Sequence, residues 1–298
     1  MRLNHFLNSA TLAAALLSVP AAAQTPPAQP AARHVWARYA HADAVELRDV
    51  AGFVRIYPEN RTDVAVSVIN AGPLRAPEYR RSRNRLIIDG KLRGQIRSCH
   101  VGERGGFEVE TTRQGRVSAA QLPTYNIRVP QDALVTAAGA VRVHMNAAQS
   151  TRFRVAGCGD ADLYRVEDTA EIGIAGSPNV RLYDGGRVTV AVAGSGDATL
   201  GVVREGLTAS IAGSGDLLAS RVDGPTSLTV QGSGDVIIRD GRASTLNVVI
   251  AGAGDVTHNG VADTLDVVIV GRGDVHVRRV EGAVTRRILG GGAVIIGH

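Results

Sequence analysis

Five aspartates, Asp197, Asp216, Asp235, Asp255 and Asp274, follow one another at steps of 19 or 20 residues, each closing a Gly-x-Gly-Asp tetrapeptide. Stacked carboxylates are hard oxygen ligands, so calcium binding is one chemistry such a column suggests. Two carboxylates about 5 Å apart also match the spacing of a retaining glycosidase. Five equivalent copies argue against catalysis, because an acid and a nucleophile need different environments to separate their pKa values. No Phe, Tyr or Trp lies between Asp184 and His298 to form a sugar platform on these repeats. No second turn carries a matching Asp, as a calcium roll requires. The plain reading is a ladder of turn-capping aspartates that accept turn amides. Repulsion of about 0.8 kcal/mol per adjacent pair in water is tolerable on those terms. The residues therefore assign no catalytic group, no metal ligand and no cofactor, with a calcium-stabilised ladder as the alternative.

The cations are distributed differently. Residues 24–154 carry 20 Lys and Arg against 11 acids, while 155–298 carry 12 against 17. The excess concentrates in a Gly-rich, strand-poor stretch at 75–116, with 11 cations against 5 acids. Arg80, Arg81, Arg83, Arg85, Lys91, Arg93 and Arg97 are candidates for docking on an anionic glycan or envelope surface. The competing reading is a solvated loop whose arginines pair with the acidic half. Nucleic acid is a poor fit without an aromatic stacking face. Cys99 and Cys158 form either a disulfide or two separate thiols, and an oxidising compartment favours the bridge. His258 stands in an otherwise aliphatic column, which places it near a strand end or in a hydrogen bond.

What positions these groups is a repeat. The tetrapeptide recurs at Gly157, Gly194, Gly213, Gly232, Gly252 and Gly271, with degenerate copies at Gly176 and Gly290. Two residues before the first glycine stand Val155, Ile174, Val192, Ile211, Val230, Ile250, Ile269 and Ile288. Alternation of apolar and other residues around this column means a strand with one buried face, and a second strand follows each Asp. A 19-residue rung cannot bury its inner face alone, but stacked rungs can. The pattern predicts an all-β chain, a single-stranded parallel β-helix of about 19 residues per rung. Arg286 occupies an inward position of the last copy, as suits a terminal rung. Exposed edges at the end rungs are sites for self-association.

The boundaries follow. Residues 1–23 read as a signal peptide, with Arg2, an apolar run through Leu17 and cleavage after Ala23. No later segment is long and apolar enough to span a bilayer, so the chain is expected to be exported to the periplasm, outer surface or medium. Residues 24–43 are a Pro/Ala-rich linker and start. Residues 44–298 are the β-helix domain, irregular over 44–150 with the basic insertion, and regular over 151–298. The N-terminal strands, among them 44–57 and 64–69, should extend or cap the helix.

The strand–Gly–strand opening Val50-Ala51-Gly52-Phe53-Val54-Arg55-Ile56, Val129-Pro130 before an Ala/Val-rich strand, and the run of Gly-Ser-Gly-Asp turns resemble the bacterial "putative auto-transporter adhesin, head GIN domain" proteins. The resemblance covers about 44–296 and implies a β-helical envelope or surface module without an assigned reaction. An autotransporter's membrane-barrel segment is not expected in this chain. The leading expectation is a non-enzymatic exported structural or adhesion-type module. The alternatives are a β-helical polysaccharide-active enzyme with its site on the N-terminal loops, and a calcium-stabilised solenoid.

Overall fold

The computed structural model describes residues 37–297, apart from 41, 70, 71 and 103–105. The signal peptide expected at 1–23 and most of the linker lie outside the described residues. Twelve strands lead into the regular repeats. They are β1 (Ala37–Ala40), β2 (Ala44–Glu59), β3 (Asp63–Ile69), β4 (Glu78–Ser82), β5 (Arg85–Asp89) and β6 (Ile96–Val101), then β7 (Phe107–Thr111), β8 (Gly115–Val117), β9 (Thr124–Pro130), β10 (Asp132–Met145), β11 (Ser150–Gly176) and β12 (Asn179–Gly194).

One rung shows how the residues make the fold. At the end of β12, Val188, Val190 and Val192 are buried while Thr189, Ala191 and Ala193 are exposed, the period-two pattern of a one-faced strand. The chain turns through Gly194-Ser195-Gly196-Asp197, and Ala198–Val203 forms the facing wall with Ala198, Leu200 and Val203 inward. The next rung repeats this in register, pairing Val190 with Ala209, Val192 with Ile211 and Gly194 with Gly213, all parallel. The result is a parallel β-solenoid of about nine turns with about 19 residues per rung. Ile211, Val230, Ile250 and Ile269 stack as one fully buried column. Burying each such side chain contributes about 1.5–3 kcal/mol.

The two glycines of the turn are needed for different reasons. Gly213 has φ +137°, and a Cβ there would lie 2.1 Å from the Gly194 carbonyl oxygen. Gly215 has no positive φ. It is held to glycine by contact alone, since its Cβ would lie 2.1 Å from the Gly196 oxygen. The turns stack too closely for any side chain at either position.

At the N-terminal end the stack continues through β11, β10 and β2, all parallel. Strand β2 then pairs with β5 along Ala44–Arg48 and with β9 along Phe53–Glu59. There the direction changes: β4 joins β5, β3 joins β9 and β1 joins β3, each antiparallel. The rings of Tyr39 on β1 and Tyr79 on β4 stack with centroids 6.1 Å apart. The N-terminal strands are a cap on the solenoid, and all described residues belong to one unit spanning 34–298.

The basic insertion corrects the expectation of a strand-poor stretch. It contains the β4–β5 hairpin and a separate antiparallel sheet, β6–β7–β8. The alternation Phe107, Val109, Thr111 buries one face of β7. Phe107, Val109 and Val117 form a small second core with Leu74, Leu92 and Leu122, seated on Ala51 and Ala140 of the solenoid. Cys99 of β6 is disulfide-bonded to Cys158 of β11, with Cα atoms 6.1 Å apart. Cys158 occupies the position that serines take in later turns. The small sheet is thus pinned to the glycine-turn corner of the first rungs.

Candidate binding surfaces

The structure places the aspartate column along one corner, and the ladder is held from rung to rung. The backbone N–H of Asp216 donates to Asp197 Oδ1 at 2.9 Å, that of Asp235 to Asp216 Oδ1 at 2.8 Å, and that of Asp255 to Asp235 Oδ1 at 2.8 Å. Asp274 and Ala293 continue the series. Upstream, Asn179 Oδ1 accepts from the Asp197 N–H at 3.1 Å. Each carboxylate therefore accepts the amide of the following rung, where the expectation was an amide of its own turn. A charge-assisted bond of this kind offsets the repulsion between neighbours. Among the described residues, no group of three or more His, Cys, Asp or Glu side chains could hold a metal ion.

The seven basic candidates divide between two sheets. Arg80 and Arg81 lie on β4, all of whose residues are exposed, and Arg83 sits at the hairpin turn with φ +55°. Arg85 is engaged, its Nη1 lying 2.9 Å from Glu46 Oε2. Lys91 is engaged as well, with Nζ 2.8 Å from Glu78 and 3.4 Å from Asp89. Glu46 also binds Arg48, and the hydrogen bond from Arg48, reinforced by Arg85, holds its carboxyl below the usual range. Arg93 and Arg97 are exposed in the turn before β6 and on β6 itself. These ion pairs stay within the N-terminal part and do not reach the acidic repeats.

A third surface lies on the outer face of the wall that follows the glycine turns. Register aligns Phe53, Arg142, Asp160 and Asn179 in one column, and Arg55, His144, Asp162 and Arg181 in the next. The pairings Leu163–Leu182 and Arg165–Asp184 put Tyr164 and Tyr183 on adjacent rungs beside them. The two residues are 59% and 47% exposed, with ring centroids 6.1 Å apart. The Arg181 guanidinium lies 5.9 Å from the Tyr183 ring centre, within cation–π range. Alongside runs a depression of about 540 Å³ lined by Arg55, Tyr57, Arg142, His144, Asn146 and Asp162. A second of about 150 Å³ shares Arg142 and Asp162 and extends it to Asn179 and Arg181. Sequence reasoning passed over these tyrosines, although their separation of 19 residues, one repeat, was the signal that would have found them.

His258 is fully buried inside the solenoid, in register with Ile238 and Val277. Its Nδ1 accepts the Gly260 N–H at 3.1 Å, and burial pushes its pKa down. The Nε2 atom is buried without a hydrogen-bond partner. His276, one rung on, is exposed, so the two histidines do not form a site.

Residues 222–297 match the model of a family described as "Putative auto-transporter adhesin, head GIN domain". The C-terminal rungs are similar to this family. The head GIN domain resemblance carried by the Gly-Ser-Gly-Asp turns is thus found again over those rungs. Across the wider chain the likeness is one of fold. A crystal structure of a "putative adhesin" from Parabacteroides merdae ATCC 43184 is similar over 90% of this chain and 97% of its own, with TM-score 0.53 and 14% identity. A "putative lipid binding protein" from Parabacteroides distasonis ATCC 8503 covers 89% of this chain and 96% of its own, with TM-score 0.47 and 17% identity. No curated protein matches the chain. No helix among the described residues is long and apolar enough to cross a membrane.

Proposed function

We propose that this protein is an exported, non-enzymatic adhesion-type module of the cell envelope, whose solenoid presents a basic cap to an anionic glycan or envelope surface. The observation that carries this reading is the β4 edge, where Arg80, Arg81 and Arg83 are exposed at the rim of the cap. Arg80 and Arg83 have no ion pair among the described residues, in contrast to Arg85 and Lys91. Clustered arginines on a rigid hairpin lose little side-chain freedom on meeting carboxylates or phosphates. The adhesin-type family match of the C-terminal rungs supports the same class.

The test is retention of the full chain on beads bearing acidic polysaccharide or lipopolysaccharide. The triple variant Arg80→Ser/Arg81→Ser/Arg83→Ser should elute at markedly lower salt than the wild type, because fewer anions are neutralised. Unchanged retention would remove the hairpin from the function, and release of shortened saccharides during incubation would replace an adhesin with an enzyme.

A further inference from the structure

We infer that the outer wall bearing Tyr164 and Tyr183 is a second binding surface, for an acidic oligosaccharide lying along the solenoid axis. The two rings are the exposed aromatic pair on this wall, and each presents an apolar face beside a polar tip. A pyranose is built in the complementary way, with a C–H face and a rim of hydroxyls. In-register placement puts one ring on each of two successive rungs, with centroids 6.1 Å apart and planes tilted by 47°, so that successive sugar units can each meet one ring.

The polar groups that line the adjoining depressions on the same wall choose the ligand further. Arg55 in one column and Arg142 in the next gather positive charge at the N-terminal end of the depression, with the His144 imidazole beside Arg55. Arg55 has no ion pair among the described residues, and a guanidinium suits a carboxylate. Asn146 and Asn179 add donors and acceptors for hydroxyls. Asp160 and Asp162 stand among the cations, which disfavours a continuous polyphosphate chain and favours a ligand whose charges are spaced by neutral groups. Aromatic platforms with a few convergent polar groups are the usual make-up of a small-ligand site.

The experiment is calorimetric titration of the full chain with a galacturonate tetramer and with its neutral galactose counterpart. The wild type should bind the acidic tetramer about tenfold more tightly than the neutral one. Tyr164→Ala/Tyr183→Ala should lower affinity for the acidic tetramer about tenfold, and Tyr164→Phe/Tyr183→Phe should keep most of it. Arg55→Ser should erase the preference for the acidic form. Both tyrosines are exposed, so melting curves of the variants should overlay that of the wild type. Arg80→Ser/Arg83→Ser on the cap should bind the tetramer as the wild type does, which separates this surface from the hairpin. No binding by the wild type, equal binding of both tetramers, or loss confined to the hairpin variant would each overturn the inference.

Discussion

Asp197 and Asp216 are joined directly and through the next residue: the Asp216 N–H donates to Asp197 Oδ1 at 2.9 Å, and the Asp216 carbonyl oxygen accepts the N–H of Ala198, which follows Asp197, at 2.8 Å. The same pair of bonds links Asp216 with Asp235 through Leu217, and Asp235 with Asp255 through Val236. The side chain thus stands in for a backbone acceptor where the turn interrupts the parallel ladder. It carries pairing across the corner from one strand to the next.

This linkage predicts a difference between two substitutions. Asp216→Ala removes the acceptor of the Asp235 N–H and should cost about 1 kcal/mol, a moderate value because the site is exposed. Asp216→Asn keeps a carbonyl acceptor and removes one charge from the column, as Asn179 already does beneath Asp197. It should match the wild type or exceed it. Urea unfolding of the two variants measures this, and equal stability of Ala and Asn would show that the carboxylate does not bridge the rungs.

His258 makes stability depend on pH. Its folded pKa lies below the ordinary histidine value because burial disfavours the imidazolium. The unfolded chain therefore binds a proton that the folded chain refuses, and stability present above about pH 6.5 is lost as pH falls below it. The slope for one group reaches about 1.4 kcal/mol per pH unit. His258→Ile, the residue type of Ile238 in the same column, also removes the unpartnered Nε2. Its melting temperature should vary less between pH 6.5 and pH 5 than that of the wild type. Parallel pH profiles would contradict the assignment.

Arg286 lies on the last rung among the described residues. It lies in register with buried Val267, so its column points inward, and Val284–Gly290 is exposed along its length. An inward-pointing charge on an edge strand opposes pairing with another sheet edge. Arg286→Val should increase self-association relative to the wild type, read as concentration-dependent mass by light scattering. An unchanged mass distribution would assign the charge no such part.

The amino-acid sequence by itself determined the repeat, the inward columns and the glycine corners, because each is a short-period signal that recurs in register. Val192, Ile211, Val230, Ile250 and Ile269 are legible as a core column from their spacing alone. The repeat also contained the Tyr164–Tyr183 relationship, one rung apart, though exposure had to come from the structure. What only the tertiary structure decided involves groups whose partners lie outside the period. The acceptor role of Asp197 depends on how closely the next turn stacks, which is a distance between rungs. The segment 75–116 has no repeat to read, and its strands form by antiparallel pairing and by burying Phe107 against the solenoid. The engagement of Arg85 with Glu46 joins residues 39 apart that only the β2–β5 pairing brings together. Cys99 meets Cys158 for a like reason, because β6 rests on the turn that holds it. Periodic contacts can be counted along a chain; aperiodic ones exist only once the sheets have packed.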